Sequence, residues 1–165
     1  QLADERLDTV YALHRDTFLR HGHEPYLTRA FFAHAARTFG QAFIVKAALW
    51  RGALVACAIF FRSADTLYGR YWGAAADFHS LHFETCYHQG IEYCIEAGLA
   101  RFEPGTQGEH KVARGFEPAQ TRSAHLTLDE PFRAAIGAYL AREGRSVDAY
   151  AEAVRAHVPF RDARR

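Results

Sequence analysis

The stretch QAFIVKAALWRGALVACAIFFRS, residues 41–63, decides the fold. Two apolar runs rich in Val, Ile and Phe stand on either side of Arg51-Gly52. Each run has the length of a strand, and a two-residue junction containing glycine predicts an antiparallel hairpin. TLYGRYWGA, residues 66–74, follows as a third strand and completes a meander. Because side chains alternate along a strand, Tyr68, Arg70 and Trp72 are expected on one face and Tyr71 on the other.

The pattern changes on both sides of the meander. Upstream, Leu7, Val10, Tyr11, Leu13, His14, Phe18 and Leu19 recur at helical spacing, and HGHEP stops that helix. TRAFFAHAARTFG predicts a second helix with Thr28 as N-cap and Gly40 just past its end. Downstream, HSLHFETCYHQGIEYCIEAG predicts a helix with Phe83, Cys86, Tyr87, Ile91, Cys94 and Ile95 as its apolar stripe. Gly98 ends it, and LARFEP is a short strand that a helical crossover makes parallel to its neighbour. A short helical piece, a strand RSAHLTLD, a helix EPFRAAIGAYLAREG capped by Asp129 and a last helix SVDAYAEAVRAHV capped by Ser146 complete the reading. The expected class is α/β, with a mixed, mostly antiparallel sheet flanked by helices in one domain over residues 1–165.

The 165 residues are 49% apolar and 24% charged with a net charge of +1, which excludes wholesale disorder and a global basic field for nucleic acid. No apolar run approaches the roughly 18 residues needed to span a bilayer. Cys57, Cys86 and Cys94 lie in apolar segments and predict reduced, buried thiols and a cytoplasmic location. The chain has no Met and begins with Gln1, which predicts that it is the C-terminal part of a longer protein and leaves open what the N-terminal portion contributes.

Three strings carry a resemblance: LYGRYWGA (residues 67–74), LHFETCYHQGIEYCIEAGLARFEPGTQGEHKVARGFEP (residues 81–118) and the SAHL strand. They resemble the bacterial peptidoglycan biosynthesis or recognition proteins, a FemAB-like branch of the GNAT acyltransferase superfamily. The element order is similar to the GNAT core. The resemblance implies transfer of an acyl group from coenzyme A, or of an amino acid from aminoacyl-tRNA, to an amine on a small molecule or muropeptide precursor. It also implies a donor pyrophosphate seated on backbone N–H groups between the third strand and the next helix. Gly73 is the glycine of that segment, WGAAADFHSLHFE, but the Arg/Gln-x-x-Gly-x-Gly/Ala pattern is missing and Asp77 opposes an anion. This sets coenzyme A as donor against aminoacyl-tRNA.

The residues themselves supply further candidates. Glu84, in the first turn of the central helix, is a candidate general base or a stabilising anion at a helix start, and Glu103 is the second carboxylate. Arg70 and Trp72 suit a substrate cleft, Arg70 as a cation–π partner or carboxylate clamp, with core packing as the alternative. His79 and His82 stand i, i+3 as metal ligands, base or mere helix start, and His82 is taken as a substrate contact. The HGHE tetrad, residues 21–24, reads equally as a helix end. In GTQGEHKVARGF, Gly105 and Gly108 flank a loop, and Lys111 and Arg114 share a helical face suited to an anion or to neighbouring glutamates. The tail RDARR is either a nucleic-acid contact or a frayed end. Two functions follow: an acyl- or aminoacyl-transferase, or a non-catalytic recognition module on the same fold.

Overall fold

The computed structural model describes residues 4–105 and 108–160. The chain divides into two compact units, residues 1–106 and 107–165. The first unit runs α1 (Asp4–Arg20), α2 (Arg29–Thr38), β1 (Phe43–Trp50), β2 (Ala53–Arg62), β3 (Thr66–Ala74), a central helix over residues 81–96 and β4 (Arg101–Glu103). The sheet order is β1-β2-β3-β4, antiparallel across the first three strands and parallel between β3 and β4. The hairpin turn takes φ of +50° at Arg51 and +84° at Gly52, the two positive angles that match the twist of paired strands.

Both faces of β2 are covered, which is why its sequence reads as a continuous apolar run. On one face Cys57 and Ile59 pack with Leu7, Val10 and Leu13 of α1 and with Phe32 and Ala33 of α2. On the other, Ala58 and Phe60 pack with Leu67, Cys94, Trp72, Tyr93 and Phe102 beneath the central helix. Phe32 is fully buried, so truncating it to Ala costs about 3–5 kcal/mol. Burial also pushes the Cys57 thiol up to about 12, so it stays protonated, and all three cysteines are free. No helix among the described residues is long and apolar enough to cross a membrane.

Close approach sets how α1 lies on the sheet. A Cβ on Gly73 would fall 2.5 Å from the carbonyl carbon of Leu13 and 2.7 Å from the His14 nitrogen. Only a residue without a side chain lets the α1 backbone rest directly on β3. The glycine expected to contact a donor is thus occupied by packing.

The central helix departs from a regular α-helix. It begins as α3 (Leu81–Phe83), continues as a π turn over Glu84–His88 and ends as α4 (Gln89–Glu96). A π turn holds one extra residue and rotates the apolar stripe that follows it. Ile95, expected on the buried stripe, is therefore 77% exposed, while Gly90 and Cys94 face inward. The helix ends as its sequence predicts: Leu99 N–H bonds the Cys94 carbonyl at 2.8 Å, Gly98 N–H bonds that of Ile95 at 3.3 Å, and Gly98 has φ of +64°.

The second unit holds a 3₁₀ helix (Glu109–Arg114) and α5 (Glu130–Arg155). Two expectations fail here. RSAHLTLD is not a strand, and Leu126 and Leu128 are 83% and 85% exposed. Alternation marks a segment able to pair, but the described residues of this unit offer no strand for it to pair with. The two expected C-terminal helices are one 26-residue helix, because a glycine such as Gly144 costs only about 1 kcal/mol in a helix interior and does not break it. The Asp129 cap stands, accepting from Phe132 N–H at 2.8 Å. The RDARR tail lies outside the described residues.

Candidate functional site

The site forms where β3 and β4 part. They pair over three positions only, Thr66↔Arg101, Leu67↔Phe102 and Tyr68↔Glu103. Two features stop the ladder. Pro104 has no N–H to extend it. On the other strand, the pairing of β2 with β3 passes from Ile59↔Tyr71 to Phe60↔Gly69, leaving Arg70 as an extra residue, a β-bulge that turns β3 away. A cavity of about 220 Å³ opens beyond this point, lined in part by Arg70, Tyr71, Trp72, His82, Tyr87 and Gly105.

The bulge corrects the expected side-chain alternation. The extra residue sends Arg70 and Tyr71 to the same side, toward α1 and α2, and Trp72 to the face under the central helix. Arg70 lies with its guanidinium carbon 5.1 Å from the centre of the Tyr71 ring and donates to the Tyr26 hydroxyl at 3.1 Å. Tyr26 and Tyr71 share a 2.7 Å hydrogen bond between their hydroxyls. Burial, with the Tyr26 hydroxyl adding to it and Arg70 opposing, pushes the Tyr71 phenol up to about 12, so it keeps its proton across the physiological range. Trp72 meets His82 edge-on at 5.3 Å, and His82 meets Tyr87 edge-on at 5.4 Å. The π turn places Tyr87 inward, one turn along from His82, so the two rings meet over the cavity.

Behind Tyr71 lies His14, 1% exposed, with neither ring nitrogen hydrogen-bonded. Its ring contacts Phe18, Phe32 and Tyr71 at 4.7–5.0 Å. Desolvation lowers its pKa, so the ring is held neutral.

The remaining candidates fall elsewhere. Glu84 is on the outer side of the π turn, accepting from Gln89 at 3.0 Å and lying 3.4 Å from His88, with its side chain half exposed. The five-residue spacing of Glu84 and Gln89 is one that a π turn brings together. Glu103 is exposed at the end of β4. Neither carboxylate lines the cavity, so neither is placed to take a proton there. His79 bonds Ser80 at 3.3 Å, and no group of three or more metal-ligating side chains gathers among the described residues. Gly108, Lys111 and Arg114 belong to the second unit. There Lys111 and Arg114 stand in line on the 3₁₀ helix, and Arg114 donates to the His110 carbonyl at 2.6 Å. Burial first, then the positive charges of Lys111 and Arg114, lower the pKa of His110.

Sequence reading missed Tyr26, Tyr71, Cys86 and Tyr87. Tyr26 is an aromatic residue isolated in a polar turn after Pro25, and that isolation is the one signal available. Tyr71 was expected on the face opposite Arg70, and the added bulge residue that puts both on one face leaves no mark in an apolar-polar pattern.

Comparison with known proteins agrees with this architecture. The family described as FemAB-like, peptidoglycan biosynthesis/recognition, matches residues 1–162. A solved structure described as "a probable acetyltransferase" is 16% identical with a TM-score of 0.58, covering 78% of this chain and 96% of that one. A second, described as "a possible acetyltransferase from Clostridium difficile 630", is 10% identical with a TM-score of 0.59, covering 77% and 95%. At such identities the likeness is one of fold. No curated protein matches the chain.

Proposed function

Because the chain belongs to the FemAB-like family, described as peptidoglycan biosynthesis/recognition, we propose that it transfers an acyl or aminoacyl group from an activated ester or thioester to an amine, the acceptor being a peptidoglycan precursor. The observation that supports this reading is the cavity at the parting of β3 and β4, over which the rings of Trp72, His82 and Tyr87 meet. The amine nitrogen attacks the donor carbonyl carbon and a C–N bond forms. The bond from that carbon to the ester oxygen or thioester sulfur breaks, the amine loses one proton, and the leaving oxygen or sulfur gains one.

His82 is a lining side chain able to accept the amine proton, and no carboxylate among the described residues lines the cavity. Holding amine and carbonyl together supplies much of the rate. The turn after β3 does not fit coenzyme A: it carries Asp77 and no glycine, and Gly73 is covered by α1. This favours an aminoacyl ester as donor.

The test is single-turnover mass spectrometry of full-length protein with acyl-coenzyme A or aminoacyl-tRNA and a muropeptide amine. A mass gain on the acceptor is expected, lowered about 100-fold or more in His82→Gln, the usual scale of general-base loss. No modified acceptor with either donor class sinks the transferase reading. That no carboxylate among the described residues lines the cavity favours one alternative, a recognition module that binds the precursor without turning it over. The same experiment separates the two, since that module gives binding and no product.

A further inference from the structure

The second unit holds a groove of about 390 Å³ between the 3₁₀ helix and α5. That volume is the room of roughly thirteen waters at ~30 Å³ each, within the usual range of small-molecule sites. Helical spacing builds both walls. Tyr150, Ala153, Val154 and His157 stand i, i+3, i+4 and i+7, one stripe running off the C-terminal end of α5. Glu109 and Val112 stand i, i+3 and share one edge of the 3₁₀ helix, with Ala113 beside them. The walls meet through side chains: the Tyr150 hydroxyl donates to Glu109 Oε1 at 3.0 Å.

The valines and alanines make an aliphatic lining, and the polar groups set into it offer acceptors. Glu109 spends one lone pair on Tyr150, and an ionised carboxylate has others left. The hydrogen bond to Glu109, and then its negative charge, raise the Tyr150 pKa, so the phenol stays the donor and steadies the carboxylate. His157 donates from Nδ1 to the Ala153 carbonyl at 2.8 Å, which makes Nε2 of the neutral ring an acceptor. No Lys or Arg among the described residues lines the groove, and none of them forms an ion pair with Glu109. Lys111 and Arg114 lie on another edge of the 3₁₀ helix, where Arg114 donates to the His110 carbonyl. A partner for acceptors in an aliphatic groove carries N–H donors and positive charge on a hydrocarbon body, because charge-assisted bonds to a carboxylate are the strong ones. An anion would meet the Glu109 charge instead.

We propose that the groove between the 3₁₀ helix and α5 binds a small organic ammonium ion, its hydrocarbon body on Val112 and Val154 and its N–H donors on the Glu109 carboxylate. The site belongs to the second unit alone. It does not rest on the transferase or recognition reading, and an enzyme assay without product leaves it standing.

The experiment is NMR titration of the full chain, labelled on valine methyls, with hexylamine, hexanol and hexanoate at neutral pH. The three share a chain and differ in head group. Hexylamine is expected to shift the Val112 and Val154 methyls and to bind about 5-fold more tightly than hexanol, the upper end for a partly exposed ion pair. Hexanoate is expected to bind more weakly than hexanol. Glu109→Gln is expected to bring hexylamine down to the affinity of hexanol, whose own affinity holds, since the Gln carbonyl still accepts from Tyr150. Ala153→Leu fills the groove and is expected to abolish binding, with helix content by circular dichroism retained because leucine is a good helix former. Equal binding of amine and alcohol, or tightest binding by hexanoate, overturns the proposal. So does an amine preference that survives Glu109→Gln, or binding that survives Ala153→Leu. Failure of all three probes to shift the Val112 and Val154 methyls overturns it as well.

Discussion

His14 and Gly73 govern one contact, where α1 lies on β3. His14 carries two ring nitrogens into a cage of aromatic rings without a hydrogen bond, an arrangement that ordinarily costs about 1–3 kcal/mol. Its folded pKa is lowered by burial. As pH falls below about 6.5, the ordinary histidine value, the unfolded chain takes up a proton here that the folded chain does not, so stability falls with pH in that window and is complete above it. His14→Phe keeps a ring and removes the proton site. Its melting temperature relative to wild type is expected to rise between pH 7.5 and pH 5, and parallel curves would show that His14 does not titrate differently on folding. Gly73 gives the matching steric case. Gly73→Ala drives a methyl into the α1 backbone and is expected to destabilise by about 1–3 kcal/mol or more, read from urea denaturation.

At the scale of elements, the π turn decides where His82 points. Deleting the exposed His88 would close Glu84–His88 into an α-helical turn and rotate residues 81–87 by about 100° against α4. His82 then leaves the Trp72 ring. The expected result is loss of ligand-induced quenching of tryptophan fluorescence while helix content by circular dichroism holds. Retained quenching would separate His82 from the ligand. In α5 the prediction is simpler. Gly137 and Gly144 have open space where a Cβ would go. Each Gly→Ala change is expected to stabilise the helix by about 0.5–1 kcal/mol, seen as a higher melting temperature of the 222 nm signal. A lower one would mean that the two glycines sit at a contact.

At the scale of the molecule, what was legible and what was not divide along a physical line. The hairpin, the parallel β4, the Thr28 and Asp129 caps and the Gly98 stop were legible because each follows from local chemistry or from a crossover rule. The cavity was legible in part. Trp72 and His82 stood out as aromatic or polar residues beside strand and helix ends, and their rings meet edge-on, whereas the Arg70 side chain lies with Tyr26 and Tyr71 on the other face of the sheet. Its geometry was not legible, because the β3 bulge and the π turn each insert one residue, which flips the strand's facing relative to the residues before it and turns the helix by about 100°. Glu84 shows this, since its place at a helix start suggested a cleft that the π turn leaves on the other side. RSAHLTLD shows the remaining limit: alternation reports a capacity to pair, and a partner strand is a property of the surroundings.

The contact at Gly73 also has a mechanical meaning. With helix backbone pressed on strand backbone, the wall that carries Arg70, Tyr71 and Trp72 is stiff, while the opposite wall hangs from three ladder positions. Any breathing of the chamber is therefore one-sided, with β4 as the moving jaw and β3 as the anvil. Deuterium should enter the amides of Arg101–Glu103 well before those of Tyr71–Ala74, and the reverse order would mean that the anvil gives first.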